Sequence, residues 1–273
     1  MSNYHYNINA TWRVEPTSPA VLGKKFLGVL DAISNAVPGI GDWQLAKPPY
    51  RDEYVTVDEA RAKPAEWVEN NPATHDEIPT PESGYKLMAL NAGPAFSPKK
   101  VGLTARVGGT IGDTIRFGVG FVQVPSDLET ATYLLFRTAL LAIIAQFPSV
   151  WANAYLYAAG YKDKSLAPGI PPHPATEYNR PWLSYLCAPL TKGLVPPVGV
   201  PCERTADGGL LMIAAEERLD PTNPDHMRRS RAMAQVMIAR AGYPRSRPGW
   251  WSIDEEWPPT EEALRRRGPP KDP

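Results

Sequence analysis

Residues 209–242, GLLMIAAEERLDPTNPDHMRRSRAMAQVMIARAG, run from a short apolar strand through a capped turn into a closing helix. Leu210, Leu211, Met212 and Ile213 are a continuous apolar run, preceded by the hairpin signal Asp207-Gly208. Asn223 can accept a hydrogen bond from an orphan helical N–H, Pro224 presets φ at the first helical position, and Asp225 complements the helix dipole. Met227, Ala234, Met237, Ile238 and Ala241 fall on one side of the helix, and Gly242 ends it where a positive φ is cheap. His226 reads as a first-turn residue near the surface.

Upstream, residues 4–14 are rich in β-favouring types and read as a first strand. Ser18-Pro19 then starts a helix with Leu22, Phe26, Val29, Leu30 and Ile33 on one face, ended by Pro38-Gly39; Trp43 follows in a loop. Tyr85–Ala92, Lys100–Val107 and Asp113–Val124 read as an antiparallel meander. Gly118 and Gly120 in its third strand indicate a bulge or a close neighbour. Ser126-Asp127-Leu128-Glu129 has the form of a capping box for a helix running to Phe147, and its apolar residues nearly all round predict burial in the middle of the fold. Glu129 and Arg137 interrupt that run, so it does not read as a membrane span. Trp151–Tyr157 and Trp182–Cys187 are further strands, separated by a polar, proline-rich loop containing His173. Strands in runs with interspersed helices predict an α+β fold: a single domain with a mostly antiparallel sheet and helices packed on it. The domain spans 1–242, with a Trp/Pro-rich extension over 243–273.

The chain of 273 residues carries 29 basic and 29 acidic residues, and this neutrality argues against a nucleic-acid binder. The balance is uneven along the chain. An acidic insertion at about 47–82 holds nine acidic residues against three basic ones between Arg51 and Glu82, with a helix expected over 57–70 and broken at Pro64. Asp58, Glu59, Glu66, Glu69, Asp76 and Glu77 are its candidate partner-binding carboxylates. The segment is either a solvated insertion or a surface that meets a basic partner. Trp250, Trp251 and Trp257 in the extension either dock back on the domain or form a second contact surface.

No catalytic motif is visible. The histidines His5, His75, His173 and His226 lack metal-ligand spacing, and no G-x-S-x-G elbow is present. Cys187 and Cys202 read as buried thiols of a cytoplasmic chain, whose first residues lack the pattern of a signal peptide. Gly108-Gly109-Thr110-Ile111-Gly112-Asp113 lacks the Lys and Ser/Thr of a phosphate loop and joins strand to strand, so it reads as a hairpin turn. Glu216 and Glu217, taken as the end of a strand, would point to opposite faces and not form an acid/base pair. These readings predict no catalytic residues, no metal, no cofactor, no small-molecule substrate and no membrane association.

The turn Leu219-Asp220-Pro221-x-Asn223-Pro224-x-His226 and its amphipathic helix resemble the C-terminal part of the immunity protein 52 family of bacterial polymorphic toxin systems. Arg180-Pro181-Trp182-Leu183-Ser184-Tyr185-Leu186 resembles the family segment leading into the preceding strand, and Ala10-Thr11-Trp12-Arg13, the helix after it and Trp43 are also similar. The patches lie between residues 4 and 242. The resemblance implies a non-enzymatic protein that binds and neutralises a cognate toxin with a restriction-endonuclease-like nuclease domain, in a contact-dependent or type VI secretion system. Alternatives from other classes are an effector chaperone or adaptor for a secreted toxin, and an enzyme with an unrecognised site.

Overall fold

A computed structural model describes residues 4–12, 15–47, 53–75, 78–79, 84–91, 97, 99–109, 113–120, 126–158 and 179–241. The elements in chain order are β1 (Tyr4–Trp12), α1 (Pro19–Ala36), β2 (Trp43–Ala46), β3 (Tyr54–Thr56), α2 (Val57–Ala62), α3 (Pro64–Glu69), β4 (Thr74–His75), β5 (Ile78–Pro79), β6 (Tyr85–Asn91), β7 (Val101–Val107), β8 (Asp113–Val119), α4 (Tyr133–Gln146), β9 (Ser149–Ala158), β10 (Asn179–Leu186), α5 (Ala188–Thr191), β11 (Cys202–Arg204), β12 (Leu210–Ile213) and α6 (Pro224–Ala241). The fold is α+β, as expected. One ten-stranded sheet has the order β11-β12-β10-β9-β1-β8-β7-β6-β2-β3, with every pair antiparallel, and β4 and β5 form a separate ribbon.

The first strand lies in the middle. β1 pairs with β8 on one side and β9 on the other, joining the meander β6–β7–β8 to the β9–β10–β12–β11 half. Both sheet edges are three-residue strands, β3 and β11, which leaves little unpaired backbone for another chain to extend.

One sheet face carries the helical layer. Tyr6, Ile8, Ala10 and Trp12 alternate into the core, where Trp12 stacks on Phe147 at 4.7 Å and Tyr6 meets Phe136 edge-on at 6.2 Å. The α1 stripe behaves as its spacing predicts: Leu22, Phe26, Val29, Leu30 and Ile33 are all buried, and α1 packs on α3 and α4. Ser18 is its N-cap residue without a side-chain capping bond, so Pro19 supplies the start signal.

The opposite sheet face is polar. Its register rows align Lys86 with Arg106, Thr114 and Thr11, and Met88 with Thr104, Arg116 and Asn9. Toward β10, with α6 packed against β10 and β12, this face closes: Asn153 and Ser184 are fully buried, and Ser184 Oγ donates to Asn153 Oδ1 at 2.9 Å. Gly118 has the close neighbour its sequence position suggested. A Cβ there would stand 2.5 Å from Asn7 Oδ1 on the adjacent strand.

Several local expectations are corrected. Trp43 begins strand β2 instead of lying in a loop; it is buried, and its Nε1 donates to Ser34 Oγ at 2.9 Å. The proposed capping box at Ser126–Glu129 does not start α4. Ser126 is taken by a long-range contact, accepting from Tyr6 N at 3.0 Å and donating to the Val119 carbonyl. Asp127 closes a turn on Thr130, and Thr132 caps the helix by accepting from Leu135 N at 3.2 Å. α4 is also not enclosed on all sides, since Leu134 is 51% exposed while Phe136, Leu140 and Ile143 are buried. Glu216 and Glu217 lie beyond the end of β12, both exposed.

The acidic segment is built into this fold. β3 extends the main sheet, and Ala60, Trp67 and Val68 are buried in the same core as the α1 stripe. Its described charged residues face solvent while these apolar side chains do not, so a purely solvated insertion does not describe it.

Candidate partner-binding surface

The carboxylates of α2 and α3 stand on a platform fixed at both ends. Thr56 caps α2 with the reciprocal pair of a capping box. Its Oγ1 accepts from Glu59 N at 3.2 Å, and Glu59 Oε2 accepts from Thr56 N at 2.8 Å. Hydrogen bonds from the Thr56 backbone and then its side chain hold the Glu59 carboxyl below its ordinary value. Lys63 ends α2, and Pro64 restarts the chain as the first residue of α3, which is the break expected at that proline. Trp67 then meets Phe26 of α1 at 5.6 Å, and the Asn71 side chain donates to the Trp67 carbonyl at 2.6 Å. Gly23 makes this docking close: a Cβ at that position would lie 2.9 Å from the Pro64 carbonyl oxygen.

Asp58, Glu59, Glu66 and Glu69 are all exposed on this platform. They are not equally available. Glu59 is committed to its cap, and Glu66 pairs with Lys63 at 2.9 Å. Arg61 is drawn away to Asp31 of α1 at 2.8 Å, leaving Asp58 and Glu69 without an ion pair among the described residues. Asp76, Glu77 and the three tryptophans Trp250, Trp251 and Trp257 lie outside the described residues, so the structure brings together four of the nine predicted contact residues.

The Asp-Pro-x-Asn-Pro-x-His turn is a latch. Leu219 is buried and its carbonyl accepts from Tyr6 Oη at 2.8 Å, tying the last turn of the fold to its first strand. Asp220 Oδ1 accepts from Thr222 N and Oγ1 at 2.8 and 2.7 Å, and Asn223 Oδ1 accepts from Asp225 N at 3.0 Å as the expected cap. His226 is buried, contrary to its reading as a surface residue. Its Nδ1 accepts from Asp220 N at 3.2 Å, and its Nε2 lies 3.2 Å from Glu217 Oε1. The Arg-Pro-Trp segment is structural in the same way: Trp182 is fully buried, and its Nε1 donates to the carbonyls of Ala215 and Glu217 at 3.0 and 2.9 Å.

Groups that resemble chemistry are otherwise engaged. The buried Asp113 carboxylate accepts from Gly108 N at 3.1 Å, Gly109 N at 3.3 Å and Trp12 Nε1 at 3.0 Å. The loop therefore holds an anion of its own, supplied by the chain. Burial raises the Asp113 carboxyl above its ordinary value, opposed by these hydrogen bonds. A cleft of about 210 Å³ is lined by Glu15, Ser149, Tyr185, Cys187 and Asp207 among others. In it Tyr185 donates to Asp207, and burial pushes the Cys187 thiol up to about 11, so it stays protonated near neutrality. Among the described residues no group of three or more His, Cys, Asp and Glu side chains is arranged to hold a metal ion, and no helix is long and apolar enough to cross a membrane.

No family model matches this chain, and no curated protein matches it. Among solved structures, Pseudomonas aeruginosa T6SS protein PA0821 is similar over 84% of this chain and 76% of its own, at 10% sequence identity and a TM-score of 0.45. A likeness at that level supports no inference about function. The resemblance to the immunity protein 52 family rests on the sequence patches alone.

Proposed function

We propose that this protein is an immunity protein: a stoichiometric, non-enzymatic inhibitor that binds and neutralises one nuclease toxin of a contact-dependent or type VI secretion system. The observation that carries the reading is the α2–α3 platform. Exposed carboxylates stand on helices locked to the core by Trp67 and Gly23, so they meet a partner with little ordering cost. A nuclease holds a phosphate backbone with Lys and Arg, and a rigid acidic surface is complementary to such a cleft. The family-like patches at Leu219–His226 and Arg180–Leu186 support the same reading from the sequence, although their side chains serve the latch and the core. The cytoplasm of the producing cell is where such an inhibitor acts.

Co-expression with the products of the neighbouring genes, scored for growth inhibition and its relief, tests it. Restored growth, together with a 1:1 complex on size-exclusion chromatography with light scattering, is the expected result. Unrelieved toxicity with no complex would overturn the reading.

A further inference from the structure

Among the described residues, the polar sheet face opposite the helical layer has a single sign of charge. Across β6, β7, β8 and β1 its outward positions include Lys86, Arg106 and Arg116 and no Asp or Glu, in a chain whose total charge is zero. Arg106 and Arg116 are exposed and stand diagonally on adjacent strands, a relation that places side chains about 7–8 Å apart. Arg116 is oriented in advance. Its Nε donates to Asn9 Oδ1 at 3.3 Å, and Asn9 Nδ2 donates to the hydroxyl of the buried Tyr155 at 3.0 Å. This chain uses the inner nitrogen of the guanidinium and leaves its two terminal nitrogens as a fork, the geometry that receives a carboxylate through paired hydrogen bonds.

We propose that this face is a docking surface for a carboxylate-rich segment of a partner protein, with Arg106 and Arg116 as its anchors. A protein occupant is favoured over nucleic acid by charge and composition. Among the described residues, the outward positions of β6, β7, β8 and β1 around the arginines offer no exposed aromatic platform for base stacking, and three cations are few for the phosphate contacts on which nucleic-acid affinity depends. Thr104 and Thr114, beside the two arginines, add hydroxyl donors for the remaining carboxylate oxygens. The face lies across the sheet from the helical layer to which α2 and α3 belong, and the inference does not depend on the immunity reading.

Fluorescence anisotropy with a labelled decaglutamate peptide and a labelled DNA duplex, at low ionic strength, tests it on the full chain. The peptide binds the unaltered protein more tightly than the duplex does. Arg106→Glu/Arg116→Glu weakens peptide binding by at least about tenfold, as loss of a close charge pair does, whereas Arg228→Glu on the outer side of α6 leaves it unchanged. Arg116→Lys keeps the charge but not the fork, and weakens binding by a smaller factor; it also serves if the double reversal melts early. Absent peptide binding, equal binding by the double variant and the unaltered protein, or tighter binding of the duplex would each overturn the proposal.

Discussion

Tyr6 joins the two ends of the described fold with one hydroxyl. The residue is 1% exposed, and burial raises its phenol to about 12 from an ordinary 10.0. Tyr6→Phe removes the bond to Leu219 and leaves a buried carbonyl without it, at a cost of about 1–3 kcal/mol by urea denaturation. A raised phenol also fixes a pH dependence. Its contribution is intact below the unfolded value of 10.0 and is lost as the pH rises toward about 12, because unfolding then releases a proton that the folded state retains. Stability measured across that window falls for the unaltered protein, and the part of the fall due to Tyr6 is absent in Tyr6→Phe. Asn223→Ala removes the α6 cap and costs roughly 0.5–2 kcal/mol, with partner affinity unchanged in the folded fraction. Normal melting with lost affinity would instead make the turn a contact site.

At the scale of elements, Gly23 decides whether the acidic platform stays in place. A glycine inside a helix ordinarily gains about 1 kcal/mol on becoming alanine. Here the new Cβ would press on a backbone carbonyl at 2.9 Å, with Pro64 Cβ and Val68 Cγ2 at 3.1 and 3.2 Å, so α1 and α3 must separate. Overpacking outweighs propensity, and Gly23→Ala is expected to lower stability by about 1–3 kcal/mol before that gain is counted. Trp67→Ala costs more, about 3–5 kcal/mol, and loosens α3 without touching a charge. Both are checked by chemical denaturation. Neither effect was legible in the sequence, where Gly23 is one small residue in an apolar stripe. The stripe itself was legible because a period of 3.6 records one face of a helix, and the alternation of β7 and β8 records one face of a sheet in the same way. Strands β2 and β3 escaped because three or four residues carry too little pattern, and β2 joins the sheet through the distant β6; the equally short β11 was signalled by the hairpin turn Asp207-Gly208. The start of α4 was misplaced for a related reason: Ser126 has a capping residue's chemistry, but Tyr6 and Val119, far away in sequence, claim its hydroxyl. The exposed carboxylates of the candidate surface could be read from composition. That their helices rest on buried Trp67 could not.

Among the described residues, Asp58, Glu59, Glu66 and Glu69 lie on the α2–α3 side with Arg61 and Lys63, whereas Lys86, Arg106 and Arg116 lie on the open sheet face. Neutrality overall conceals this arrangement. If the acidic platform meets the toxin's basic cleft, reversing Asp58, Glu66 and Glu69 to Lys slows association and flattens its salt dependence, while thermal stability hardly changes. Stopped-flow association at low and high salt reads this directly, and identical rates for both proteins would remove α2–α3 from the interface. The central claim, stoichiometric inhibition, is tested most directly by titrating this protein into a fixed concentration of the toxin's nuclease domain and following cleavage of a labelled DNA or RNA substrate. The account predicts a linear fall to no activity at one equivalent. Undiminished cleavage at a large molar excess would contradict it.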